Sequence, residues 1–225
     1  MINDSAFIQH VSWMLNLFEN DNGSKFTDYK SVYRYNDGNG QRKQITLGRG
    51  FTEDGGNLRK VVDLYVSKGG KSSALKDNAS KIGKGVLVGN TEFIKALRDA
   101  SAEEVMQQAQ DETFKAVYLQ PALDWAHVNG FETPLSTAVV VDSFLHSGTM
   151  TSWLVRAVTE QRPSKGGNEK EWIKQYCEGR LAWFKRATGV LNTCQFRPKF
   201  FLKQMSVGNW DFNCPLVIPE KGTIC

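Results

Sequence analysis

Several things are scarce in this sequence. No apolar run in its 225 residues approaches the roughly 18 to 20 residues that cross a bilayer, so no membrane insertion is expected. The first residues lack a basic stretch followed by an apolar one, and no signal peptide is predicted. There are three histidines, His10, His127 and His146, far apart and in no HxxxH or HExxH pattern. The four cysteines, Cys177, Cys194, Cys214 and Cys225, contain no CxxC pair. A zinc centre and a dithiol redox motif are therefore not indicated, and neither a metal nor a cofactor is expected. Basic residues form no block, the net charge is +4, and no zinc-finger, homeodomain or RNA-recognition signature is present, so no nucleic-acid partner is expected. Gly83-Lys84-Gly85 lacks the spacing of a phosphate loop. No internal repeat is visible.

What the chain does have is helical periodicity. Phe7, Val11, Met14, Leu15 and Phe18 predict an amphipathic helix over Ser5–Glu19, capped by Asp4 or Ser5 and stopped by Asn20-Asp21-Asn22-Gly23. Ser31 to Tyr35 alternates, Asn36-Asp37-Gly38-Asn39-Gly40 is a turn cluster, and Gln41 to Leu47 returns as the second arm of a hairpin. Gly48-Arg49-Gly50 suggests close backbone approach. Beyond Phe51 the pattern is mostly helical. Leu58 to Tyr65 form one helix, residues 67–90 read as a Gly-, Ser- and Lys-rich surface excursion, a hinge or flap, and Phe93, Ile94 and Leu97 mark the next helix. Ser101 to Glu104 fits a capping box before a long helix through Met106, Ala109, Phe114 and Val117. Thr133-Pro134 opens a strongly apolar, central buried helix that ends at Gly148. Further helices are expected near 152–160, 170–186 and 199–204, followed by an irregular tail. Trp153, Trp172 and Trp183 read as core aromatics, and His146 as structural or cleft-lining. The cysteines, all in the last 49 residues, are either buried free thiols or one or two disulfides fastening the tail.

Two carboxylates flanking a glycosidic bond suffice to hydrolyse it, one as acid and one as base or nucleophile. An acid needs a raised pKa, which a half-buried helix end supplies through desolvation and the helix dipole. Glu19, after Leu17-Phe18, sits in such a place. Asp37 in the hairpin turn offers a second carboxylate.

These residues belong to a wider pattern. Phe18-Glu19-Asn20, Tyr33-Arg34-Tyr35 and Thr46-Leu47-Gly48-Arg49-Gly50-Phe51 form one block. Gln110-Asp111-Glu112 through Val117 to Ala122, Asn129-Gly130, Asp142 and Gly148 form another, and Gly208-Asn209-Trp210-Asp211-Phe212-Asn213-Cys214-Pro215-Leu216 a third. In this order they resemble the glycoside hydrolase family 46 chitosanases of the lysozyme-like superfamily, and the hairpin segment is also similar to that of phage lysozymes. The resemblance implies a mainly α fold (α+β): one lysozyme-like domain over 1–225, two helical lobes with a cleft between them, a small antiparallel sheet in the N-terminal lobe and a central buried helix. It implies an inverting hydrolase with Glu19 as general acid and Thr46 holding the attacking water.

Laid without a gap from Tyr33 to Thr46, the family's catalytic aspartate falls on Gln41, which cannot serve as a base. Asp37, four residues earlier, is assigned instead, with Glu53 and Asp54 as alternatives. Tyr35, Lys43 and Asn57 are the expected sugar contacts. Asn57 stands where the family has an acidic residue for a glucosamine ammonium, and a neutral amide loses that charge-assisted bond. This turns the expected substrate toward peptidoglycan, a muramidase-like activity, with chitosan as the alternative and a catalytically inactive carbohydrate-binding relative as a third reading. The enzyme would act outside the cytoplasm as a monomer, a phage lytic enzyme or an antibacterial toxin domain of a longer protein. A delivery carrier and an immunity protein would then be further partners.

Overall fold

The structure is a computed structural model and describes residues 5–19, 23–36, 38, 40, 42–219 and 221–225. The first helix, α1, runs Ser5–Glu19 and buries Phe7, Val11, Met14, Leu15 and Phe18, as its periodicity requires. The Asp4 part of the predicted cap lies outside the described residues.

The chain divides into two compact units, Thr27–Val117 and a discontinuous one of Met1–Phe26 with Tyr118–Cys225. The continuous unit opens with a three-stranded antiparallel sheet in the order β1 (Val32–Tyr35), β2 (Gln44–Leu47), β3 (Phe51–Thr52). Val32 pairs with Leu47 and Tyr33 with Thr46 across the hairpin. The Gly48-Arg49-Gly50 turn then leads into β3. At Gly48, φ is +50° and a Cβ would fall 2.4 Å from Gln110 Oε1, so the close approach expected here is real. Arg49 completes it, bonding Asp111 at 3.0 Å and lying 3.7 Å over the Phe114 ring.

Helices α2 (Asn57–Ser67), α3 (Ser73–Asn78), α4 (Thr91–Ala100) and α5 (Glu104–Phe114) complete this unit. Two expectations are corrected here. Residues 67–90 are not a loose excursion: they contain α3 and a 3-10 turn at Ala79–Lys81, and bury Leu75, Ala79, Ile82 and Leu87. The capping box does not form. The Ser101 hydroxyl donates back to the Leu97 carbonyl at 2.7 Å, and the Glu104 carboxylate accepts from Gln108 Nε2 at 3.1 Å. A π turn at Lys115–Leu119 precedes Pro121, which has no N–H to continue the ladder.

The second unit is built on α7 (Pro134–Ser147), buried without interruption from Leu135 to Phe144 and ended by Gly148 at φ 74°. Around it pack α1, α6 (Gln120–Val128), α9 (Glu169–Arg186) and α11 (Phe196–Ser206). Two short helices, α8 (Ser152–Ala157) and α10 (Val190–Thr193), lie against α9. Trp172 is core, but Trp153 is 46% exposed beside Trp183, which corrects its reading as a core residue. The tail is not irregular throughout. Strands β4 (Val217–Ile218) and β5 (Gly222–Thr223) pair, and a Cys214–Cys225 disulfide closes them off. Cys177 is a buried free thiol, as one cysteine reading has it, whereas Cys194 is a free thiol that is only partly buried. Among the described residues, no helix is long and apolar enough to cross a membrane.

Candidate active site

Glu19 is the last residue of α1, and its side chain is 38% exposed. What fixes it comes from the far end of the chain. Phe18 is held edge-on by Phe196, Phe200 and Phe201 at 5.4, 5.7 and 6.0 Å. The same helix, α11, carries Arg197, which donates through Nη2 to the Glu19 carboxylate and through Nη1 to Asp142 Oδ1 at 2.6 Å. Arg180 of α9 donates to the other Asp142 oxygen, also at 2.6 Å. Asp142 and Arg180 are fully buried, and Arg197 is 4% exposed. The four charges alternate in sign and sum to zero, with Asp142, Arg180 and Arg197 in the dry core and Glu19 at its edge.

The titration behaviour of this row follows from burial and neighbours. Burial alone would raise the Asp142 carboxyl, but the Arg180 and Arg197 guanidiniums outweigh it and hold it below the usual carboxylate range. Burial first, then Arg197 and Arg180, pushes the half-buried His146 imidazole down to about 3. His146 also meets Phe184 edge-on at 5.3 Å. It is a neutral, packed ring, which agrees with its reading as a structural group.

The other expected site residues lie in the continuous unit. Thr46 is half-buried on the central strand, opposite Tyr33 and Thr52. Its Oγ1 has no hydrogen-bond partner among the described residues, which leaves a hydroxyl able both to donate and to accept. Tyr35 is 52% exposed and stacks on Tyr33, with ring centroids 5.3 Å apart and planes 15° from parallel. Lys43 is exposed. Asn57 opens α2, and its Oδ1 accepts from Lys60 Nζ at 3.3 Å.

Asp37 and Gln41 lie outside the described residues. The two alternative carboxylates are engaged in holding the chain. Glu53 is buried and accepts from the backbone N–H groups of Gly83 at 3.1 Å, Gly85 at 3.3 Å and Ile45 at 3.4 Å. Asp54 is ion-paired with Arg42, which also donates to the Gly83 carbonyl at 3.2 Å. Together they dock the 83–85 segment onto the hairpin.

The sequence reading gave no role to Asp142, Arg180 or Arg197. A signal for Asp142 was present: an acid inside Val-Val-Val-Asp-Ser-Phe must find a cation. Nothing local identifies which arginine that is.

The family model described as glycosyl hydrolase family 46 matches residues 14–216. A chitosanase of Bacillus subtilis (strain 168) is 25% identical over 175 residues, 71% of this chain, and the match spans 61% of that relative's length. Among solved structures, a mutant chitosanase from Bacillus subtilis MY002 complexed with 6 GlcN superposes with a TM-score of 0.84 at 19% identity, covering 98% of each chain. A family 46 chitosanase from Gynuella sunshinyii in complex with chitotetraose gives 0.81 at 21% identity, covering 94% of this chain and 93% of its own. At such identities these likenesses establish the fold, a mainly helical one with a small antiparallel sheet.

Proposed function

The chain belongs to glycosyl hydrolase family 46, and from that premise we propose that it is a chitosanase, hydrolysing β-1,4 bonds of a glucosamine-containing polymer with inversion. The observation that carries this is the Glu19 carboxylate, half-exposed at a helix end and held by a buried arginine. In the proposed reaction Glu19 gives its proton to the leaving glycosidic oxygen as the bond to the anomeric carbon breaks. Thr46 holds a water, Asp37 takes its proton, and the oxygen bonds the anomeric carbon from the opposite face. Arg197 then stabilises the Glu19 carboxylate left behind. Both units serve one hydrolase domain in this reading, with Tyr35, Lys43 and Asn57 contacting sugar.

The chitosan assignment takes precedence over peptidoglycan because the curated relative is named a chitosanase and structural neighbours hold glucosamine oligomers. Peptidoglycan stands as the second reading, favoured by one observation: the Asn57 amide has Lys60 beside it, a poor setting for an ammonium group.

The test is release of reducing ends from chitosan and from purified peptidoglycan by wild type, Glu19→Gln and Asp37→Asn. Wild type is expected to cut chitosan, and each mutant to lose about 10²-fold or more. Release from peptidoglycan alone would transfer the assignment to the second reading. Full activity in Glu19→Gln would reject the acid, and full activity in Asp37→Asn the base. No release from either polymer would make the chain a carbohydrate-binding relative.

A further inference from the structure

We propose that His10, Cys214 and Cys225 form a zinc site once the Cys214–Cys225 disulfide is reduced, with a water as the fourth ligand. Their candidate ligand atoms, two Sγ and one ring nitrogen, lie within 4.8 Å of one another. His10 Nε2 stands 3.5 Å from Cys214 Sγ. Across a tetrahedral zinc, bonds of roughly 2.3 Å to sulfur and 2.0–2.1 Å to nitrogen set those two atoms roughly 3.5 Å apart. The imidazole is therefore already at the spacing the metal requires. Two sulfurs on one zinc stand roughly 3.7 Å apart, and side-chain rotation on Cα atoms 5.7 Å apart reaches that once the disulfide is open. Two thiolates, a neutral imidazole and Zn²⁺ sum to zero charge.

The ligands sit on parts that other contacts hold in place. His10 is partly buried on α1, its ring centroid 5.9 Å from that of Trp13. Cys214 and Cys225 flank the β4–β5 hairpin, whose Leu216, Ile218 and Ile224 are buried. The Ile224 N–H donates to the Leu216 carbonyl at 2.7 Å, and Ser24 Oγ donates to the Ile224 carbonyl at 2.9 Å. Buried Phe212 meets Phe7 edge-on at 6.3 Å. Reduction thus leaves both thiols beside His10, and Cys214 is exposed to a reductant and to a metal. A dithiol reductant becomes a disulfide as its two electrons and two protons pass to the cysteines. Zinc then binds the thiolates and displaces two protons. The disulfide ties the tail to itself, whereas the metal ties the tail to α1. Spacing along the chain gave no sign of the site because His10 and Cys214 are 204 residues apart.

The test is titration with zinc alone of the protein as folded and of protein reduced by a phosphine, then desalted under argon. The phosphine takes the oxygen of one water and leaves two thiols. Reduced protein is expected to bind one zinc per chain about 100-fold or more tighter than oxidised protein, and His10→Ala to weaken that binding about tenfold or more. Cys194→Ser, which removes the other partly exposed thiol, is expected to leave it unchanged. Zinc is also expected to raise the melting temperature of reduced wild type and not of reduced His10→Ala. Equal zinc affinity in the two redox states overturns the proposal, as does undiminished binding in His10→Ala. Loss of binding in Cys194→Ser overturns it too, by assigning the metal to another thiol. Zinc uptake by a reduced chain whose far-UV circular dichroism has lost its helical signal does the same, because the fold is then not what assembles the ligands.

Discussion

An aspartate set among Val139, Val140, Val141 and Phe144 in the buried stretch of a helix cannot remain charged without partners. Asp142 has two, and through Arg197 it sets where the Glu19 carboxylate stands. Removing its charge leaves two guanidiniums in the core, with the half-exposed Glu19 carboxylate bonded to Arg197 alone. Asp142→Asn is therefore expected to cost about 3–5 kcal/mol of stability and, in the fraction that stays folded at low temperature, to lower kcat with the Glu19 chemistry. Denaturant unfolding and turnover measured on one preparation check both; an unchanged midpoint would remove the charge row from the account. Glu19 was legible as a helix-end carboxylate in apolar surroundings. Arg197 was not, because it lies 178 residues away and local periodicity carries no sign of a partner at that distance.

Among the elements, α1 and α7 were read closely because each has strong periodicity or a run of apolar residues between clear stop signals. The 67–90 segment was misread because what holds it is not periodic. Four apolar side chains anchor it, Gly70 admits the Tyr65 ring where a Cβ would fall 2.3 Å away, and Glu53 supplies bonds from another part of the sequence. Helix α10 has too few residues to show a pattern at all. Glu53→Gln tests the docking. Gly83 and Gly85 share one carboxylate oxygen and Ile45 bonds the other, so a glutamine accepts on one side only and turns its N–H groups toward the amides on the other, at a cost of about 1–3 kcal/mol. Faster hydrogen exchange at Ile45 or at Gly83 and Gly85, relative to the core of α7, is the expected result. Unchanged exchange with lost turnover would instead return Glu53 to consideration as the base.

At the level of the whole molecule, the buried Asp142 and the half-buried His146 make stability depend on pH in the same direction. The folded chain lowers the Asp142 carboxyl, so its contribution is present above the ordinary carboxylate range and is lost as pH falls through the folded value. His146, down to about 3 when folded against 6.5 ordinarily, is protonated more readily in the unfolded chain. Stability therefore falls as pH drops below about 6.5, with a slope of at most about 1.4 kcal/mol per pH unit from this one group. The melting temperature is expected to be flat near neutrality and to decline through pH 6 to 4, and His146→Gln to flatten that decline whatever its effect at pH 7. An equally steep decline in the variant would assign the acid sensitivity elsewhere.

One of the two units is continuous in sequence and the other is not. The Thr27–Val117 stretch is contiguous, and its sheet and helices pack on one another within it. Helix α1, made before it, has to wait for α7 and α11 while more than half the chain is synthesised. The bond from Arg197 to Glu19 closes across most of the sequence, a contact of the kind that slows folding. Glu19, which we propose as the proton donor, is thus set in place only after Arg197 has been made, and a chain cut short before Arg197 is expected to lack activity.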